Sequence, residues 1–517
     1  MADKLYFSRD AKLYVELTSN AGAFQGLWEI PVLDGFSFSQ STNQTEIGLS
    51  EMESTSGLSR RGRRLFTDSL APAEWSFSTY IRPTIKNSTE HHLVDEVLWA
   101  AMAGADLHAG TGSSENGDFT RNSSDRATVS GIVMDAAGGT LPSGGTGGLL
   151  NFQESNRSTL PKITLYFVFE TDTTNPMVYK LSNAIVNECS IDFDIDGIAT
   201  ANWSGFAKEV EDLQSKALVA SSPSAPVTDG TYTAWTDTDA DNALKILVAT
   251  AWKDAYSTGV TSTNNFIRNR LTQLDVRGRN TDVLEGKTLT VSGVTNAVDA
   301  VITTTAAHGL KAGDTVTISG VVGDGTGDDA LEAAINATHT VKAAPSTTTF
   351  SVEADTSAND GYDSGGTVAT GLYSFTLTGG NITISNNVTY LVPEELGTIN
   401  KPIEGVTGAR AIGGNFTCYL VFDSAGNDSG ASADFFSDLV DPNAGLTKVV
   451  NDFDVTFKVG GTVAGQPKVF LNFPKVHIDV PAHNIEDVIS LETTFGAYTD
   501  DFDTVDEFNM EVFGVSA

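Results

Sequence analysis

The chain holds 517 residues, 40% hydrophobic and 19% charged, enough apolar material for more than one core and too much for a disordered polymer. Its formal net charge of −35 excludes a protein that grips nucleic acid, because phosphate binding needs Lys and Arg to displace counterions. No apolar run reaches the roughly 18 residues of a membrane-spanning helix, and 49 glycines against 15 prolines, with abundant Thr, Ser, Asn and Val, point to strands and turns.

The opening MADKLYFSRDAKLYVEL alternates and lacks the basic-then-apolar order of a signal peptide, so folding in a cytoplasm is expected. Lys12–Leu17 and Leu27–Val32 are apolar runs and Gly35–Ser39 alternates, so all three read as strands. Residues 41–66 form a long polar loop with almost no core-forming side chain. Trp75–Ile81 is a strand again, and His92–Ala103 reads as a helix with a broad apolar face, stopped by Gly104. After the Gly/Ser-rich stretch 105–157, strands are predicted over Lys162–Phe169 and within 178–206. Residues 208–228 read as a linker. A helix is predicted from about Asp239 to Tyr256, on Leu244, Leu247, Val248 and Trp252, and strand signals resume at Phe266–Val276. Residues 286–369 differ in texture: Thr/Gly/Val-rich and regularly broken by turns, they suggest a small β-sandwich or barrel set into a loop. The parent pattern resumes at Tyr373–Leu377. Cys189 and Cys418 fit no metal or redox spacing and read as buried thiols.

Sliding the chain on itself by 291 positions aligns Pro176 with Pro467, Tyr179 with Phe470, Asp196 with Asp487 and Gly205 with Gly496. Upstream, with gaps, Trp75–Ile81 matches Phe416–Phe422, the helix 92–103 a shorter one near Ser432–Val440, strand 163–169 the run Phe453–Val459, and the loop 41–66 residues 389–410. One fold used twice is the expectation, with the insertion only in the second copy, where the first has the short AGAFQG at 21–26. The expected division is 1–207, a linker with helix at 208–259, a second copy from 260–285 and 370–517, and the inserted β domain 286–369.

Two stretches, LWEIPVLDGFSFSQSTNQTEIGLSEMESTSGLSRRGRRLF and GGNITISNNVTYLVPEELGTINKPIEGVTGARAIGGNFTCYL, resemble the phage tail tube family pattern of paired strands, a long acidic-to-basic loop and a further strand. The closing runs SIDFDIDGIATANWSGFAK and HNIEDVISLETTFGAY resemble the strand that ends such domains. The resemblance implies a mainly β chain: two tail-tube-type β-sandwich/barrel domains, each with a flanking helix, plus the inserted small β-sandwich-like domain. It implies a structural virion protein, not an enzyme, that stacks as trimeric rings into a tail tube for DNA ejection. The implied partners are further copies of itself, the tape measure protein, the tail terminator and the baseplate or distal tail proteins; double-stranded DNA passes without specific binding, and no cofactor or membrane is involved. The implied location is the virion tail, assembled in the host bacterial cytoplasm. A rival reading is a β-rich phage adhesin or fibre protein that binds host glycans.

Asp192, Asp194 and Asp196 alternate with Ile191, Phe193 and Ile195, so a strand there has one acidic face; it lines an acidic lumen or faces solvent on the outer wall. Arg60, Arg61, Arg63 and Arg64 form a basic cluster suited to pairing with Glu46, Glu51 or Glu53 of a neighbouring subunit, or else solvated in a loop. Asp237, Asp239 and Asp241 imitate an EF-hand start, but Asn242 and Val248 occupy the positions that need Gly and Glu, so calcium is rejected. Residues 324–329, DGTGDD, read as a turn. No HExxH or G-x-S-x-G motif occurs, and nothing in the sequence supports a hydrolase.

Overall fold

The computed structural model describes residues 5–7, 11–18, 24–33, 35–47, 65–86, 90–103, 148–152, 160, 162–169, 177–212, 218–220, 244–246, 264–278, 286–312, 314–325, 330–392, 401–422, 430–440, 452–485, 487–499 and 507–515. In chain order, β1 (Ala11–Thr18) and β2 (Phe24–Ile30) form a hairpin. β3 (Ser37–Ser39) leads through β4 (Thr42–Glu46) and β5 (Leu65–Leu70) into β6 (Ala73–Tyr80). β7 (Pro83–Lys86) and β8 (Glu90–Leu93) precede helix α1 (Glu96–Ala103). β9 (Gly148–Phe152), β10 (Ile163–Phe169), β11 (Met177–Asp194), β12 (Thr200–Ala207) and β13 (Glu209–Asp212) follow. The expected helix 92–103 therefore begins later, because residues 90–93 pair with β7 instead. Of the expected helix 239–256 only β15 (Leu244–Ile246) is described, and it is a strand, parallel to β14 (Leu218–Ala220). The apolar spacing that suggested a helix is also short enough to serve a strand.

The second half repeats the order: β16 (Gln273–Gly278), then β17 (Thr288–Val294), β18 (Val301–Thr304), β19 (Thr315–Gly323), α2 (Ala330–Ile335), β20 (Thr338–Ala343), β21 (Thr349–Val352) and β22 (Tyr362–Ala369). β23 (Leu372–Ser385), β24 (Thr389–Leu391), β25 (Glu404–Val406), β26 (Ala411–Tyr419), α3 (Ser432–Val440), β27 (Phe453–Val459), β28 (Lys468–Ile478), β29 (Ala482–Ile485), β30 (Ile489–Ala497) and β31 (Phe508–Phe513) complete it.

Each half is two sheets face to face around apolar side chains. In the first, β3–β6–β12–β11 forms one sheet and β2–β1–β10–β11–β13 the other. β11 serves both, bending at a bulge that holds Asn183 at φ 50, left-handed backbone that Asn tolerates. In the second, β23–β26–β30 continues into β29 and the end of β28, and β23–β16–β27–β28–β31 forms the opposite sheet. The bend in β28 contains Pro474, which a bulge accommodates because no ladder donor is needed there. β9, from within the first 207 residues, pairs with β31 of the second half.

The pairings give the repeat its register. Ile163↔Ala184 and Leu165↔Leu181 recur as Phe453↔Val476 and Val455↔Phe473, bulge included. β10 thus maps onto β27 at 290 positions and β11 onto β28 at 292. Val186↔Gly205 recurs as Ile478↔Phe495, returning to 290 for β12 and β30. The sequence offset of 291 lies between the two and is out by one residue in each strand, which would turn every side chain to the wrong face. Trp75 falls opposite Gly414, not Phe416, and Phe77 opposite Phe416, since Trp203↔Phe77 matches Thr493↔Phe416.

β17, β18, β21, β20, β19 and β22 close into a barrel with its own core, including Val291, Ile302, Ile318, Leu331, Phe350 and Val368. It lies between β16 and β23. Leu274↔Phe375 there matches Leu13↔Ile30 in the β1–β2 hairpin, so the barrel occupies the place of a short hairpin loop. Two ion pairs fasten it to its host: Arg277 with Asp314, buried, and Lys311 with Asp454 at 2.6 Å.

Candidate functional site

The strands β3–β6–β12–β11–β23–β26–β30–β29 run across both halves as one continuous sheet. Alternation assigns its two faces. Phe77, Trp203, Cys189, Ile191, Phe193, Ile382, Ile384, Phe416, Cys418, Leu491 and Phe495 are buried in the common core. Phe193 stacks on Phe457 at 5.6 Å and 4°, so the core continues from one half to the other. Burial pushes both thiols up, Cys418 to about 12, which leaves them unreactive.

The opposite face is polar. Ser76, Ser78, Asn202, Ser204, Ser190, Asn381, Thr383, Asn415, Thr417 and Thr494 cover it, with Glu74, Glu188, Asp192, Asp194 and Glu492 among them. Among the described residues, no Lys or Arg stands at an outward position of this sheet; Lys180 lies in the earlier part of β11, which belongs to the other sheet and pairs there with Glu211. A hydrogen-bonded row crosses four of them. Ser78 Oγ donates to Asn202 Oδ1 at 2.7 Å, Asn202 Nδ2 to Asp192 Oδ2 at 2.8 Å, and Asn381 Nδ2 to Asp192 Oδ1. Thr383 Oγ1 in turn donates to Asn381 Oδ1 at 2.9 Å. Asp192 and Asp194 share this face. Asp196 lies beyond β11 in the following turn, where its carboxylate meets Arg270 at 2.9 Å.

At one end of the sheet two hairpin arms project. β4 and β5 extend β3 and β6 in the first half, and β24 and β25 extend β23 and β26 in the second. Both expose apolar side chains, among them Leu65, Phe66 (48%), Leu391, Ile403 and Val406. Glu46 ends β4; Glu51, Glu53, Arg60, Arg61, Arg63 and Arg64 lie outside the described residues. The base of the second arm is seated on the first half. Val388 and Tyr390 pack with Leu160, Ile185 and Phe206, Lys401 pairs with Glu209 at 3.0 Å, and Glu404 with Lys162. Gly405 packs closely there: a Cβ would meet Ile185 Cδ1 at 2.6 Å, so a larger residue has to displace the end of that side chain.

The opposite end of the sheet is also apolar: Tyr419, Val421, Phe422 (77%), Val488 and Ile489 are exposed. A groove of about 610 Å³ lies among Thr378, Tyr419, Asp487, Val488 and Ser490. Sequence reasoning missed both this end and the polar network between the halves. There Arg410 Nη1 meets Glu507 Oε2 at 3.1 Å, while Nη2 donates to Ala103 O at 3.1 Å and so caps α1. Neither feature has a local motif: the partners are far apart in the chain. Among the described residues no group of three His, Cys, Asp or Glu side chains is placed to hold a metal, and no helix is long and apolar enough to cross a membrane.

No protein-family model matches the chain. Among solved structures, the sheath/tube terminator of an extracellular contractile injection system aligns with 41% of this chain and 99% of its own, at 11% identity and a TM-score of 0.22. A Pseudomonas aeruginosa FadL homologue aligns at 7% identity and a TM-score of 0.07. Neither value carries an argument about this fold. The tail tube protein pb6 of Escherichia phage T5 is 22% identical over 505 residues, 97% of this chain and 75% of that protein. Over nearly its whole length, the chain is a homologue of a bacteriophage tail tube protein.

Proposed function

We propose that this chain is a structural virion protein that forms trimeric rings, stacked into the phage tail tube through which DNA leaves the capsid. The observation that carries the reading is the sheet shared by the two halves: it is continuous across their junction and ends, on either side, in a strand with one edge unpaired among the described residues, β3 and β29. Open edges invite pairing until a closed ring removes them. The apolar arms at one end of the sheet and the apolar patch at the other suit head-to-tail stacking, the heterologous contact that builds a filament. The cation-free polar face then lines the lumen, where carboxylates keep the duplex from adhering. In this reading the tape measure protein occupies the lumen before ejection, and terminator and baseplate or distal tail proteins close the ends. The subunit is made in the host cytoplasm and resides in the virion tail, and its work is assembly rather than catalysis.

Electron microscopy of the purified protein tests this, with tubes or stacked rings as the expected result. Replacing Leu65 and Phe66 by Asp should leave rings or folded subunits and abolish tubes. A protein that stays dispersed at high concentration, or a variant that still polymerises, contradicts the proposal.

A further inference from the structure

We infer that the seam closing the ring between two copies repeats, residue for residue, the seam already present inside the chain. The inference rests on the tube reading and specifies its lateral contact. Inside the chain, β11 and β23 pair antiparallel, with Ser190↔Thr383, Ile191↔Ile382, Asp192↔Asn381 and Phe193↔Gly380 in register.

Both strands have counterparts whose corresponding edges meet no other strand among the described residues. Asp192↔Thr200 in the first half is matched by Asn484↔Ser490 in the second, and Ile191↔Ala201 by His483↔Leu491. β29 is therefore the counterpart of the end of β11, and among the described residues it pairs only with β30. Likewise Ser37↔Ser76 and Phe38↔Trp75 match Asn381↔Asn415 and Ile382↔Gly414, with Ser76 equivalent to Asn415. β3 is the counterpart of the second half of β23, and among the described residues it pairs only with β6.

Carrying the internal register across gives the contact between copies. Ala482 falls opposite Ser39 of the next copy, His483 opposite Phe38, Asn484 opposite Ser37, and Ile485 opposite Phe36. The chemistry agrees with this alignment. His483 lies against Phe436 at 4.4 Å on the core side, and Phe36 and Phe38 pack on the core. Ile485, 77% exposed in the single chain, gains an aromatic neighbour. The polar pair Asn484–Ser37 replaces Asp192–Asn381 on the lumen side, and a slip of one residue would set Ile485 against Ser37.

The test is disulfide trapping. Directly opposed residues hold their Cβ atoms about 4.5–5.5 Å apart, near disulfide reach, whereas diagonal ones lie about 7–8 Å apart. Ser37→Cys with Asn484→Cys, oxidised in the assembled state, should give covalent dimers and closed trimers on denaturing gels. The rate should exceed that of the diagonal pair Ser39→Cys with Asn484→Cys by on the order of tenfold. The native thiols, Cys189 and Cys418, are buried and do not compete. Tubes that form normally without trapping the first pair, or that trap the diagonal pair faster, overturn the register and leave the tube reading intact. Wild-type protein that forms neither rings nor tubes overturns both.

Discussion

The Asp192 carboxylate, near the end of β11, the longest strand of the first half, accepts a hydrogen bond from the Asn381 amide on β23 of the second. It also accepts one from Asn202 at 2.8 Å. Asp192 therefore has two duties, charge on the polar face and a link across the junction of the halves, whereas Asp194 carries charge and, among the described residues, makes no such link across the seam.

The two aspartates should accordingly behave differently. Asp194→Lys with Glu492→Lys adds cations to the polar face and spares the Asn202–Asp192–Asn381 row. Such particles should assemble and eject DNA more slowly, because each cation gives the phosphates a counterion-releasing contact, within a screening distance of about 8 Å at physiological salt. Asp192→Ala should lower subunit stability by about 0.5–1.5 kcal/mol, since two amides exchange a charged acceptor for water. Ejection kinetics from reconstituted particles and denaturant melts of the subunit check the two; unchanged ejection after both lysines would place this face on the outer wall.

The buried Arg277–Asp314 pair should govern how firmly the barrel is held. Arg277 Nη2 also donates to Gly309 O at 2.7 Å, and although burial opposes its charge, Asp314 and Asp454 keep it protonated. Removing one partner of a buried pair strands the other, at a cost of about 3–5 kcal/mol. Arg277→Ala should raise hydrogen exchange in β17–β22 and at their junction while β11 and β28 stay protected. Equal protection throughout would show that packing alone fixes the barrel.

His308, beside that pair, should make the barrel acid-sensitive. Its Nε2–H donates to Ser346 O at 3.0 Å, and Nδ1 accepts from Leu310 N–H at 2.9 Å, so the folded ring is held neutral. Burial lowers its pKa from 6.5. The unfolded ring takes up a proton first as pH falls, so stability is fully present above about 6.5 and declines below it. Thermal melts of wild type and His308→Gln from pH 7.5 to 5 check this, the variant showing the shallower slope.

The legible part of this molecule was whatever a short window carries. The alternation in Trp75–Tyr80 and Phe453–Val459 and the turn-rich texture of the insertion each follow from local pattern. The repeat was legible too, but only to within a residue: its strands shift by 290 and 292 positions because the connecting turns differ in length. β9 crossing to β31, and Arg410 reaching Glu507, depend on pairs hundreds of residues apart and leave no local trace. Asp196 misled because the alternating pattern runs on past the strand into its turn, while β11 ends at Asp194.

Removing the barrel should leave assembly intact. It occupies the position of the β1–β2 hairpin loop, and the strands that border it, β16 and β23, pair with each other directly, from Gln273↔Thr376 to Arg277↔Leu372. Closing that hairpin with a short Gly/Ser loop in place of 286–369 shortens a connection, and loop length changes closure entropy only slowly, by about 0.6 kcal/mol per doubling. The barrel's core is separate from the main one, so no apolar surface of the sandwich is laid bare apart from the contact at its base. Arg277 would lose Asp314, so the deletion belongs with Arg277→Gln, which keeps a donor without leaving a buried charge. The shortened protein should form tubes of the same repeat and a smaller outer diameter by electron microscopy. Folded subunits that no longer polymerise would show instead that the barrel forms part of the contact between copies.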